Sequence, residues 1–256
     1  GLRREEASFI REEFGGGFGG RKRFPGLSSE VGLRYSYQVL NAEEFPVSPE
    51  FGRKEANVGA IIGDWRHDQR DNPLYPRRGF KVFSTLEIAS DYLGGNVDYQ
   101  RFEANAAWHI PLLRGSWFNL GVTHGLIASV GTPAEDLPFN RRFFPGGENS
   151  VRGYQYGEAA PRDQQGNLIG AEAFTVGNIE FEQALTRSWS LVFFFDAVGF
   201  AQNLRDYPFD EGLYSAGGGL RWKTIIGPAR LEYGHNLNRR AQDPAGTLHF
   251  SIGFPF

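Results

Sequence analysis

Cysteine is absent from this 256-residue chain, which excludes a disulfide scaffold, thiolate metal sites and a cysteine nucleophile. No apolar run approaches the roughly 18 residues of a membrane-spanning helix. The longest, Leu191 to Ala201, is interrupted by Asp196. A surplus of one charge is lacking too: 27 Lys+Arg stand against 30 Asp+Glu, a net charge of −3. There is therefore no basic field to hold nucleic acid. The first residues do not read as a signal peptide, because Arg3, Arg4, Glu5 and Glu6 are followed by no apolar stretch. What the chain has in quantity is aromatic side chains, 15% of residues with 23 Phe and 10 Tyr, together with 34 Gly. On a polar average, that combination is the composition of β structure with many turns and speaks against a soluble helical protein.

The apolar residues alternate with polar ones. In the last segment Leu248, Phe250, Ile252, Phe254 and Phe256 fall on one face, and His249, Ser251 and Gly253 on the other. The same period of two runs through 31–39, 80–88, 102–110 and 229–233. It predicts about eleven strands, near 5–18, 30–40, 57–66, 79–90, 98–110, 117–130, 171–183, 189–200, 213–224, 228–236 and 246–256. Many run about 10 residues, the length of a tilted bilayer crossing, whereas strands of globular proteins average about 5–6. The apolar faces are rich in Phe, Tyr and Trp, as interfacial girdles require. The reading is an all-β, antiparallel transmembrane barrel with lipid outside and a polar lumen. On that reading a Lys or Arg at outward Leu86 or Ala106 is far more destabilising than one at inward Glu87.

Connections near 111–116, 184–188 and 225–227 are tight, and those at 41–56, 131–170 and 201–212 are long. Short turns belong in the periplasm and long loops outside, which places the C-terminus in the periplasm. Eleven crossings then put Gly1 outside the cell. Either residues 1–23 hide a second strand, or the chain is the C-terminal portion of a longer barrel.

Several motifs have bland readings. Gly15 to Gly20 satisfies G-x-G-x-x-G, but Arg21-Lys22-Arg23-Phe24-Pro25 starts no helix, so it reads as a glycine-rich strand end and turn rather than a dinucleotide site. His67, His109, His124, His235 and His249 lie on different strands without ligand spacing, and no Ser sits in a G-x-S-x-G elbow. No metal, cofactor or enzymatic activity is expected.

The 131–170 connection stands apart. It contains Phe143-Phe144-Pro145-Gly146-Gly147 and Val151-Arg152-Gly153-Tyr154, and a loop this long in a compact fold is functional or disordered. An exposed loop with Arg152 in solvent is one outcome. The other is a loop folded inward, where a buried arginine demands a bidentate carboxylate. Asp196 lies opposite Leu191, Phe193 and Phe195, and Glu180 opposite Ile179 and Phe181. Both therefore point into the lumen, and either is expected within about 4 Å of Arg152.

Val151 to Tyr154, with Phe144 to Gly147 before it, resembles the motif in the inward-folded loop of the BamA/TamA-type outer-membrane assembly family, also called bacterial surface antigens. Further landmarks follow in order: Asp64-Trp65-Arg66 with Asn72-Pro73-Leu74-Tyr75-Pro76-Arg77-Arg78-Gly79, then 177–181, 194–199, 227–233 and terminal Phe256. The resemblance covers about residues 58–256. It implies a part of a sixteen-stranded barrel, with residues 1–256 as its C-terminal portion and the family's polypeptide-transport-associated (POTRA) domains outside this sequence. It assigns Asp196 and Glu180 as lumen partners that lock the loop. It also implies insertion of other β-barrels into the bacterial outer membrane, with lipid, a substrate barrel and partner subunits in periplasm or membrane as the contacts. The alternatives are a two-partner secretion transporter that passes an unfolded polypeptide, and a structural barrel anchoring a larger complex. A seam strand carrying Phe250, Phe254, Pro255 and Phe256 is the expected docking edge. Pro255 lacks an N–H and would remove a ladder donor at the seam, unless it is simply tolerated at a strand end.

Overall fold

The computed structural model describes residues 2–5, 9–43, 52–131, 137–207 and 211–255. Twelve strands form one antiparallel sheet in chain order. They are β1 (Leu2–Glu5), β2 (Ile10–Phe24), β3 (Ser29–Glu43), β4 (Glu55–Asp68), β5 (Gly79–Ala89), β6 (Tyr99–Pro111), β7 (Ser116–Ser129), β8 (Ala173–Ala184), β9 (Trp189–Ala201), β10 (Glu211–Thr224), β11 (Gly227–Asn236) and β12 (Gly246–Ile252). β1 and β12 are the edges, and among the described residues they do not pair with each other. The sheet is a partial barrel.

The N-terminal stretch does hold the second strand that the strand parity called for. In place of one strand near 5–18 there are two, and their even total brings Leu2 and Ile252 to the same rim. The glycine stretch is not a turn. Gly15, Gly17 and Gly19 sit inside β2 opposite Gln38, Ser36 and Arg34 of β3, and the reversal comes at Pro25–Leu27. A Cβ at Gly15 or Gly17 would collide with a main-chain carbonyl of β3. The missing side chains let the two strands close up on the concave face.

Alternation sorts the side chains by face. On β9, Phe193 and Phe195 are exposed on the outside while Val192, Phe194, Asp196 and Val198 are buried within. The exterior carries bare Ile61, Leu86, Trp108, Val122, Ile179, Leu231 and Phe250, which is the outward apolar face expected of a membrane barrel.

The concave side is layered rather than uniformly polar. Near the long loops it is lined by Leu40, Val58, Ile127, Val176, Val198, Phe200 and Leu213, which pack against Phe143, Val151 and Tyr154 of the 130–172 segment. Polar and charged groups collect towards the short turns. Glu87 lies under this lid: it is buried, accepts the Tyr99 hydroxyl at 2.6 Å and lies 3.5 Å from Arg141 Nε. It is therefore a poor example of an open lumen site, and the half-buried inward Thr85 replaces it. Lysine at outward Leu86 or Ala106 is expected to destabilise by about 2–4 kcal/mol near the bilayer midplane, and at Thr85 far less. Unfolding in lipid bilayers measures the difference; equal costs on the two faces contradict a lipid-facing exterior.

The last strand also departs from expectation. β12 stops at Ile252, and Gly253, with φ 114°, turns the chain. Phe254 is thereby carried to the inside, where its ring meets His109 at 5.8 Å and the Arg221 guanidinium at 5.2 Å. It does not share the outer face with Leu248, Phe250 and Ile252. Pro255 is buried beyond the end of the ladder, so it removes no strand donor. Phe256 lies outside the described residues.

The rims close by cross-lumen contacts. At the short-turn end the 69–78 segment spans the opening: Tyr75 donates its hydroxyl to the carbonyl of Thr224, beyond which the β10–β11 turn begins. At the other end Arg141 contacts Glu13 of β2, Gln38 of β3 and Tyr99 of β6, and Arg142 pairs with buried Glu172 at 3.0 Å.

Candidate functional site: a buried arginine–carboxylate cluster

The 130–172 segment enters the lumen by way of Gly146 and Gly147, with φ of 126° and 102°. These are left-handed conformations open to glycine and strained for other residues. The chain then presents Val151-Arg152-Gly153-Tyr154, all four buried.

Arg152 is 1% exposed. Its Nε and Nη2 grip Asp196 Oδ2 and Oδ1 at 2.9 and 2.8 Å, and its backbone N–H donates to Oδ2 at 3.0 Å. Nη1 reaches Glu180 Oε2 at 2.8 Å and Glu232 Oε2 at 3.4 Å. The guanidinium carbon sits 3.4 Å from the centroid of the Phe194 ring, so one face is covered by an aromatic surface while the edge is saturated by carboxylates. Asp196 and Glu180 thus both meet Arg152, on the adjacent strands β9 and β8.

Arg221 on β10 is the second hub. It grips Glu180 with two bonds of 2.6 Å, reaches Glu232 at 2.7 and 3.0 Å and Glu182 at 3.0 Å. Arg230 adds a contact of 3.4 Å to Glu232 and donates to Asn149 Oδ1 at 2.9 Å. Three guanidinium groups therefore face four carboxylates, all but Glu182 buried. Neutral groups fill remaining valences: Asn119 donates to Glu180 and Asn178 to Asp196, at 2.9 and 2.8 Å. Sequence reasoning did not single out Arg221, Arg230 or Glu232. The signal was present, because Arg230 and Glu232 alternate with exposed Leu231 and Tyr233 and must point inward.

The main chain of the motif is held by the last hairpin. His249 Nε2 contacts the Arg152 carbonyl at 3.0 Å. Thr247 Oγ1 and Asn236 Nδ2 both donate to the Gly153 carbonyl at 2.9 Å. Glycine is required on both sides of this approach: a Cβ at Gly153 would strike Asn236, and one at Gly234 would strike the Arg152 carbonyl. The loop is thus fastened to β12, one of the two edge strands among the described residues.

Tyr154 donates to Asp243 Oδ2 at 3.0 Å in the 237–245 connection, and Arg240 grips the same carboxylate at 2.9 and 3.1 Å. Burial opposes ionisation of Asp243, but the Arg240 side-chain and backbone hydrogen bonds outweigh it and hold the carboxyl below its usual value. A depressed acid stabilises the fold above its unfolded pKa and loses that contribution as pH falls through the folded one. This fastening is therefore intact at neutral pH and released only in acid below the ordinary carboxylate range. Among the described residues no group of three or more His, Asp or Glu is arranged to hold a metal ion.

An antiparallel sheet with an apolar outer face and a charged cluster clamping one long loop inside it has the architecture of a membrane barrel. Residues 5–256 match the Omp85 superfamily domain, and the chain belongs to that superfamily. It is 26% identical over 247 residues to the outer membrane protein assembly factor BamA of Neisseria meningitidis serogroup B, covering 81% of this chain and 31% of that protein. The crystal structure of BamA from Haemophilus ducreyi lacking POTRA domains 1–3 superposes with a TM-score of 0.79 at 18% identity, over 98% of this chain and 57% of that one. CdiB from Acinetobacter baumannii superposes at 0.58 with 13% identity, over 95% and 42%. The chain spans about three-tenths of the length of the curated relatives it matches.

Proposed function

We propose that this chain is the barrel portion of an assembly factor that inserts β-barrel proteins into the bacterial outer membrane, with its short turns and C-terminus in the periplasm. The observation that carries the reading is the fastening of the Arg152 loop to β12, a strand with a partner on one side only among the described residues. β12 has 7 residues against 13 in β9, so its ladder is short and a seam built on it opens readily to an incoming strand. Asp196 and Glu180 serve in this reading as the lumen partners of the loop. Val151 to Tyr154 form its contact motif, and Phe250 with the inward-turned Phe254 and Pro255 marks the seam. The work is strand exchange, with no covalent step and no cofactor. The likeness to BamA in sequence supports assembly, whereas the likeness to CdiB is one of fold alone. A loop packed through the lumen is a poor fit to a polypeptide conduit.

Single cysteines introduced within this cysteine-free portion of the full-length protein report on substrate position. Cross-links from Leu248 and Phe250 on β12 to the terminal strand of a nascent barrel are expected in cells. Cross-links confined to inward Glu103 and Thr123, which face the free lumen space, would instead establish passage through the interior.

A further inference from the structure

The short-turn rim holds a cationic pocket at the foot of the buried cluster, whose Arg221 and Glu182 form part of its wall. Arg77, Arg187 and Lys223 line it together with Thr186, Ser188 and Trp189. Arg77 lies 4.6 Å over Trp117, and Lys223 Nζ lies 4.9 Å over Tyr75. Aromatic faces rather than acids therefore fix two of the three cations. The carboxylate of the pocket, Glu182, is taken by Arg221 at 3.0 Å and by the Ser190 hydroxyl at 2.7 Å. The pocket is positive and offers hydroxyl donors.

Its surroundings are apolar in an unusual place. The turns at 112–115, 185–188 and 225–226 read Leu-Leu-Arg-Gly, Leu-Thr-Arg-Ser and Ile-Ile, with no acidic residue in any of them. Leu113, Leu185 and Ile225 are 81%, 57% and 95% exposed at these tips. Beside the pocket Trp189 and Trp222 stack at 6.1 Å and are half-exposed on the outer face. Turn tips bathed in water carry polar residues, and a contiguous apolar rim marks an interaction surface. Cations on the inner side of the rim, with apolar turn tips and outward Trp189 and Trp222 beside them, match an amphiphile with a negative head. A polypeptide strand would call for an unpaired sheet edge, which these hairpins lack.

We propose that this pocket binds the phosphate of an anionic glycerophospholipid, whose acyl chains lie along Trp189 and Trp222. The site pins the rim between β8 and β11 to the lipid leaflet beneath the strands of the cluster. It does not depend on the assembly reading, since any barrel of this sequence would carry it.

The test uses the whole protein in neutral-detergent micelles, titrated with dihexanoyl-phosphatidylglycerol, dihexanoyl-phosphatidylcholine, glycerol 3-phosphate or a soluble polyglutamate peptide, and followed by tryptophan fluorescence and calorimetry. Saturable phosphatidylglycerol binding about tenfold tighter than phosphatidylcholine is expected, weakening with salt. The exposed-residue variant Arg187→Gln with Lys223→Gln should remove that preference while leaving phosphatidylcholine binding and the strand circular dichroism unchanged. Equal binding of the two lipids overturns the headgroup site. Glycerol 3-phosphate binding as tightly as phosphatidylglycerol overturns the lipid assignment. Displacement by polyglutamate at lower concentration than by lipid makes it a polypeptide site and overturns it as well.

Discussion

Arg152→Ala is expected to destabilise the loop-bound state by about 3–5 kcal/mol, because it leaves Asp196 without its guanidinium partner and Glu180 without one of its two, and both acids are 0% exposed. The loss should appear as protease cleavage within 137–170 at concentrations that spare the parent, and as a lower midpoint of unfolding in lipid. Arg152→Lys keeps the charge but has no planar fork, so it can satisfy one oxygen of Asp196 and not both; it should fall between the two. On the proposed function, assembly of outer-membrane proteins in cells by the full-length protein should follow the same order. Parent-like protease resistance of Arg152→Ala would refute the lock.

Arg221→Ala should be at least as damaging, at the upper end of about 3–5 kcal/mol or beyond, since it strips Glu180, Glu232 and Glu182 together. Its signature differs. The fork between Arg152 and Asp196 survives, so the loop stays partly protected, while Phe254 loses the guanidinium beneath its ring. The two substitutions share Glu180 and Glu232 and should therefore be non-additive in a double-mutant cycle. Strict additivity would show that the two arginines hold separate sites. Arg221→Met tests the converse: a well-packed apolar residue still leaves the acids unpaired, so it should rescue little.

Much of this was readable from the chain. Period-two alternation placed the strands from β3 onward within a few residues, and the same parity pointed Asp196 and Glu180 inward, because a charge flanked by outward Phe195 and Ala197, or by outward Ile179 and Phe181, has only one tolerable direction. The errors come from glycine. Gly15 to Gly20 carries the composition of a turn, yet its glycines serve close strand approach, a requirement that only three-dimensional proximity reveals. Gly253 has a positive φ that breaks the alternation, so Phe254 was assigned to the wrong face. Arg221 was overlooked for a different reason: its inward slot follows Gly217 and Gly219, which show no polarity and conceal the period. The apolar upper layer of the lumen was equally hidden, since its complement is the loop and not a neighbouring strand.

The sequence separations within the cluster carry a consequence for the order in which the protein itself folds. Arg152 meets Glu180, Asp196 and Glu232 at distances of 28, 44 and 80 residues along the chain, and β12 touches the motif from 94 and 97 residues away. Such contacts form slowly, because the entropy of closing long loops is lost before any bond rewards it. No carboxylate of the set can be desolvated until β8, β9, β10 and β11 stand side by side, so the guanidinium enters a wall that already exists. Insertion of the loop is then the last slow event of folding. It acts as a checkpoint: a barrel with any of these four strands out of register presents the wrong spacing of acids and leaves its loop outside, open to proteolysis. Variants of Arg152 should consequently accelerate unfolding while leaving the rate of strand assembly nearly unchanged.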